Sequence, residues 1–155
     1  MSASRLPESS PKVLVIEDDC DHLELLSYAL NKYAVTLRLA QSGLDGWKIL
    51  RSERIDLVIL DYALPDLDGL ALLKRMRAFT RSHPVVMLTS HNEHWLQEEA
   101  CRSGVNYLIQ KTAVGSFLTK LGDIVAQELG LRKRSKPPSL MGVRDFAAFL
   151  QSAIN

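Results

Sequence analysis

The chain has 155 residues, of which 46% are apolar and 24% charged, and its formal net charge is +1. That length supplies one domain with a proper core and excludes two of ordinary size. The near-neutral balance favours neither nucleic acid nor an acidic partner, and apolar runs such as Leu57 to Leu60 are far too short to span a bilayer.

Residues 1–11 are polar, rich in Pro and Ser, and carry no apolar run, so they read as a disordered leader and not as a secretory signal. Cys20 and Cys101 are far apart with no partner at metal-ligand spacing. They are expected to be two small buried or half-buried thiols in a reduced, cytoplasmic compartment.

From residue 13 to about 131 two patterns alternate. Runs rich in β-branched residues and Leu predict strands at 13–16, 35–39, 55–60, 85–88 and 105–109. Several are apolar at nearly every position, as expected of strands covered on both faces. Helical spacing follows each run: Leu23, Leu26 and Leu30; Leu44, Trp47 and Leu50; Leu70, Leu73 and Met76; Leu96 and Ala100. The last stripe, Val114, Phe117, Leu118, Leu121 and Val125, is the clearest. Five strands each followed by a helix predict a doubly wound α/β fold with a five-stranded parallel sheet, because parallel neighbours need a crossover that covers the sheet. Residues 132–142 read as a basic, Pro-containing linker, with no nucleic-acid-binding output domain after it. Residues 143–155 place Val143, Phe146, Ala147, Leu150 and Ile154 at helical spacing, predicting an amphipathic helix that packs on its own domain, a partner or a homodimer mate.

In such sheets chemistry gathers where strand carboxyl ends meet a topological switch point. Polar residues stand there: Glu17-Asp18-Asp19 after the first strand, Asp61 after the third, Thr89-Ser90 after the fourth and Lys111 after the fifth. Each has a plainer reading. Asp19, Asp21 and Asp68 can cap the helices they precede, Thr89 can be a strand terminus and Lys111 a solvated charge. Their coincidence at four strand ends favours a joint role. Clustered carboxylates need a cation among them, and with no His or Cys in the set a hard ion such as Mg²⁺ fits best. A carboxylate can also attack phosphorus to give an acyl phosphate, with an ammonium and a hydroxyl neutralising the phosphoryl oxygens. His91 and His94 are three apart but lack further ligands and read as surface residues; Trp47 and Trp95 read as core or edge packing.

The segments VLVIEDD (13–19), VILDYALPDLDG (58–69), VMLTS (86–90) and GVNYLIQK (104–111) together resemble the motifs of response-regulator receiver domains over about residues 11–130, which implies a receiver domain at 12–131. The resemblance implies a flavodoxin-like (βα)5 fold and phosphotransfer from a sensor histidine kinase. Asp61 would be the phosphoacceptor, Asp18 a direct Mg²⁺ ligand, Glu17 a ligand through water and the Ala63 carbonyl a further ligand. Thr89 would supply the hydroxyl, and Lys111 the ammonium, that bond the phosphoryl group. Two positions depart from the family pattern. Leu108 stands where an aromatic switch residue is usual, so either the switch lacks its ring or a bulge returns Tyr107 to the site; Thr112 replaces the usual proline after the lysine. A lone domain with a helical extension and a Ser90-His91-Asn92-Glu93 stretch is similar to phytochrome-associated regulators, implying a phytochrome-like kinase. A haloacid-dehalogenase-type phosphohydrolase would need a second Asp where Ala63 stands, and a degenerate receiver would not keep this full residue set.

Overall fold

The computed structural model describes residues 9–80 and 82–131, with the backbone alone at Val114. Most of the leader and the whole of the linker and tail helix expected from sequence lie outside the described residues. The elements alternate strictly: β1 (Lys12–Ile16), α1 (Cys20–Leu30), β2 (Thr36–Ala40), α2 (Gly43–Ser52), β3 (Leu57–Asp61), α3 (Gly69–Phe79), β4 (Val85–Thr89), α4 (His94–Arg102), β5 (Tyr107–Gln110) and α5 (Val114–Leu129). All strand pairs are parallel, in the order β2-β1-β3-β4-β5. The connectivity therefore reverses between β1 and β3, which puts the carboxyl ends of those two strands at the switch point.

The pleat sorts each strand's side chains onto two faces. Val13, Val15, Leu57, Ile59, Val86 and Leu88 meet Leu23, Leu26 and Leu30 of α1 and Phe117, Leu121 and Val125 of α5. On the other face, Leu14, Ile16, Val58, Leu60, Val85 and Met87 pack with Leu50, Leu70, Leu73, Met76, Leu96 and Ala100. Burial on both faces explains why alternation is invisible in the strand sequences. Asp19 accepts from the Asp21 and His22 amides at the start of α1, and Asp68 accepts from the Ala71 amide at the start of α3. Both therefore are caps, as the plainer reading of these acids expects.

Several expectations need correction. On α2, Leu50 is buried and Trp47 packs half-buried against the core as expected, but Leu44 is exposed, and the helix buries Gly43 and Gly46 in its place. The reason is close approach: a Cβ on Gly46 would lie 2.4 Å from Ile16 Cδ1, so only glycine lets this helix sit so near the sheet. Trp47 is half-buried, edge-on to Phe79 and beneath the Arg75 guanidinium, whereas Trp95 is 51% exposed and packs in no core. Both cysteines are exposed thiols: Cys20 opens α1 and its Sγ accepts from Gln41 Nε2 at 3.6 Å, and Cys101 follows the buried Ala100. The third and fifth strands begin two residues later than predicted. Asp56 is spent on the Lys12 amide, and Val105 donates to the Ala100 carbonyl as the chain turns through Gly104 at φ +90°.

Candidate phosphoacceptor site

The carboxyl ends of four strands deliver the site. Glu17 and Asp18 follow β1, Asp61 ends β3, Thr89 ends β4, and Lys111 follows β5 with its amide bonded to the Thr89 carbonyl at 2.7 Å. Glu17, Asp18 and Asp61 each offer an oxygen, and these lie within 4.8 Å of one another. Lys111 Nζ reaches Glu17 Oε2 at 2.9 Å and Asp61 Oδ1 at 3.1 Å. Side chains drawn from three separate stretches of sequence thus meet at one point, with Thr89 joined to the third through its carbonyl.

Glu17 is 1% exposed and both its oxygens are engaged, one by Lys111 and the other by the Asp19 amide at 3.1 Å. Asp18 is exposed, and among the described residues its carboxylate takes part in no hydrogen bond or ion pair. Burial pushes the Glu17 carboxyl above its ordinary value; the Lys111 bond opposes this and the Asp61 charge adds to it. Burial also works to depress the Lys111 ammonium, but Glu17 and Asp61 outweigh it and hold its pKa above the ordinary lysine value. Both groups therefore bind protons more tightly than in water. Three carboxylates face one ammonium, and the remaining negative charge suits a hard divalent cation held by oxygens. The residues present fit Mg²⁺ on that donor chemistry.

Thr89 is buried, and its Oγ1 accepts from the His91 amide at 3.0 Å, which leaves the hydroxyl proton free to donate. Ala63 is exposed in the 62–68 loop between β3 and α3. That loop is closed at its base: the Gly69 amide donates to the Tyr62 carbonyl at 2.7 Å, and a Cβ on Gly69 would meet the Asp61 carbonyl oxygen at 2.7 Å. His91 and His94 are exposed and pair with Glu93 and Glu98 at the surface, and neither joins a metal cluster among the described residues. Two neighbours of the site escaped sequence reasoning. His22, one turn into α1, has Nδ1 3.4 Å from Lys111 Nζ, and Asp66 bonds the start of α2. A cap's third residue faces the same strand end, which is the signal that could have found His22; Asp66 gave none, because its partner is backbone.

The two departures from the family pattern resolve as follows. The β4–β5 register is regular, Met87 facing Leu108 and Leu88 facing Ile109, so no bulge returns Tyr107 to the site. Tyr107 packs on the α1–α5 face and donates its hydroxyl to Glu128; Leu108 packs on the opposite face. Every described peptide bond is trans, and Thr112 Oγ1 pairs with Ser116 Oγ at 3.2 Å at the start of α5.

A family model described as response regulator receiver domain matches residues 13–121. The chain belongs to that family. The receiver is 34% identical over 108 residues to the transcriptional regulatory protein AfsQ1 of Streptomyces coelicolor, covering 70% of this chain and 48% of that one. It is 32% identical over 115 residues to the transcriptional regulatory protein ZraR of Klebsiella oxytoca, covering 74% and 26%. The chain thus spans about half or less of these relatives. Among solved structures, a two-component response regulator from Clostridium difficile matches with a TM-score of 0.71 at 28% identity, covering 78% of this chain and 97% of that one. The phosphorylated cyanobacterial phytochrome response regulator RcpA shares the fold, with a TM-score of 0.73 at 23% identity over 77% and 94% of the chains. This receiver, like others of its family, serves two-component signalling. No helix among the described residues is long and apolar enough to cross a membrane.

Proposed function

We propose that this receiver accepts a phosphoryl group on Asp61 from the phosphohistidine of a sensor histidine kinase, in a Mg²⁺-dependent reaction. The observation that carries the reading is the Lys111 ammonium lying 3.1 Å from Asp61 Oδ1, beside the Glu17 and Asp18 carboxylates. An Asp61 oxygen forms the new bond to phosphorus as the P–N bond to the kinase imidazole breaks, leaving the imidazole with the electron pair and Asp61 as an acyl phosphate. Asp18, Asp61 and the Ala63 carbonyl hold the ion, with Glu17 acting through water. The ion, when bound, offsets negative charge on the phosphoryl oxygens. Lys111 donates to one of those oxygens and the Thr89 hydroxyl to another, both shifting toward Asp61 as the new charge of about −1.5 to −2 appears.

The readout differs from the usual aromatic switch. Leu108 offers no ring to turn inward, so the rearrangement of α4 and β5 is smaller and serves to alter partner binding. A cytoplasmic location follows from such a donor, and the exposed 90–93 stretch supports a phytochrome-like kinase as its class. The apolar positions Phe146, Leu150 and Ile154 support a homodimer present before phosphorylation; light scattering on the full chain and on a version ending at Leu131 checks it. Intact mass after incubation with acetyl phosphate tests the chemistry. One added phosphoryl group with Mg²⁺, and none with a chelator, is expected; labelling without divalent metal contradicts the reading.

A further inference from the structure

The 62–68 loop carries the phosphoacceptor's neighbour Ala63, whose side chain is a single methyl and can fix nothing. Its base is tied by the Gly69-to-Tyr62 hydrogen bond of 2.7 Å, and the Tyr62 amide is tied to the Leu88 carbonyl at 2.8 Å. Those ties hold the ends of the loop and leave its middle open to movement. Asp66 closes it. One carboxylate oxygen accepts the Gly43 amide at 2.9 Å and the other accepts the Leu44 amide at 2.9 Å. These are the first two N–H groups of α2, which no carbonyl within the helix can satisfy. The next, that of Asp45, is taken by the Ser42 hydroxyl at 3.1 Å. Two side chains thus share one helix start: Ser42 from the helix's own chain end, and Asp66 from the phosphoacceptor loop.

The contact is close-fitting as well as charged. A Cβ on Gly43 would lie 3.2 Å from Leu67 Cβ and 3.4 Å from Asp66 Oδ1, so the loop rests directly on the helix backbone. Burial raises the Asp66 carboxyl, yet the Leu44 and Gly43 amides outweigh it and hold the group below its ordinary value, as expected of a carboxylate at a helix N-terminus. Ala63 lies between the pinned Tyr62 and the pinned Asp66, three residues from the latter.

We infer that Asp66 is a positioning residue for the phosphoacceptor site: by clamping the 62–68 loop to the start of α2 it fixes the Ala63 backbone where its carbonyl can serve the cation. The inference rests on the proposed Mg²⁺-dependent function and deepens it. It also explains why an acid stands in a loop where it reaches neither Asp61 nor Lys111. A second consequence is that α2 and the phosphoacceptor loop move as one body.

The test compares Asp66→Ala, Asp66→Asn and Ser42→Ala in the full chain, with Mg²⁺ affinity measured by calorimetry and the phosphorylation rate with acetyl phosphate measured at saturating Mg²⁺. Ser42→Ala removes a cap from the same helix start without releasing the loop, so it reports the effect of lost helix capping alone. Asp66→Ala is expected to weaken Mg²⁺ binding about 10-fold, the scale for losing a group that orients a metal ligand. Asp66→Asn, which keeps an accepting oxygen, should recover part of that loss, and Ser42→Ala should stay within about 2-fold of wild type, as a change that leaves the metal's supporting groups in place. The rate at saturating Mg²⁺ should change far less than the affinity. Wild-type affinity in Asp66→Ala, or an equal loss in Ser42→Ala, overturns the positioning role while leaving the proposed function intact. A wild-type chain that binds no Mg²⁺ overturns both together.

Discussion

Lys111 Nζ lies 3.1 Å from Asp61 Oδ1, with the two side chains 12% and 7% exposed. The same ammonium bonds Glu17 at 2.9 Å, so one cation is shared between two buried carboxylates. A shared lysine of this kind can pass from one acid to a new anion on the other without leaving the pocket. That places it to follow charge onto an incoming phosphoryl group, which is what transition-state stabilisation requires of it.

Lys111→Met should therefore lower the rate of phosphorylation by acetyl phosphate by about 100-fold, the scale for removing one preorganised donor. Lys111→Arg should recover little, because a planar fork does not reproduce a compact ammonium at two separate acids. Stopped-flow kinetics at fixed Mg²⁺ reads both; a wild-type rate in Lys111→Met would remove the lysine from the chemistry.

The pH dependence of stability follows from Glu17. A carboxyl whose folded pKa lies above its unfolded value binds its proton more tightly in the fold. It stabilises the protein below the unfolded value, near 4.5, and that stabilisation disappears as pH rises through the folded value. In a chelator, wild-type stability should fall with rising pH above about 4.5 through this group, whereas Glu17→Gln should lack that component and be the more stable of the two at pH 7. Urea unfolding across this range measures the difference; parallel curves would contradict the direction of the shift.

Asp18 should bind metal more directly than Glu17, since Glu17 is already engaged at both oxygens and Asp18 is not. Asp18→Asn is expected to weaken Mg²⁺ binding by about 10-fold or more, and Glu17→Gln by less. Titration of tryptophan fluorescence distinguishes them, and equal, unchanged affinities would move the ion elsewhere.

Gly46→Ala tests how tightly α2 is pressed on the sheet. Its new Cβ would meet Ile16 Cδ1 at 2.4 Å and Cγ1 at 2.8 Å, and Ile16 is fully buried, so overpacking should cost about 1–3 kcal/mol. Adding Ile16→Val removes the nearest atom and should cost less than the sum of the two single changes. Chemical denaturation of the four proteins gives the coupling; strict additivity would show that the helix retreats instead.

The parallel sheet and the gathering of polar groups were legible because several strands are apolar at nearly every position and four of the five are ended or followed by a residue of distinct chemistry, Glu17, Asp61, Thr89 and Lys111. What was hidden is made of small residues and backbone. The inner face of α2 carries Gly43 and Gly46, which a search for large apolar spacing passes over in favour of the exposed Leu44. The Asp66 clamp was equally silent, since its partners are amides present at every helix start. Between the core and edge readings of Trp95 sequence could not choose, and 51% exposure at the first turn of α4 rules out the core.

The central claim is that the phosphoryl group resides on Asp61. Peptide mapping by tandem mass spectrometry, after brief incubation of the full chain with acetyl phosphate and Mg²⁺, locates it directly. The label should fall on the peptide containing Asp61 and disappear in Asp61→Asn, with the folded state of that variant verified by circular dichroism. A label of undiminished yield in Asp61→Asn, or one carried on another residue of the wild-type chain, would contradict the account.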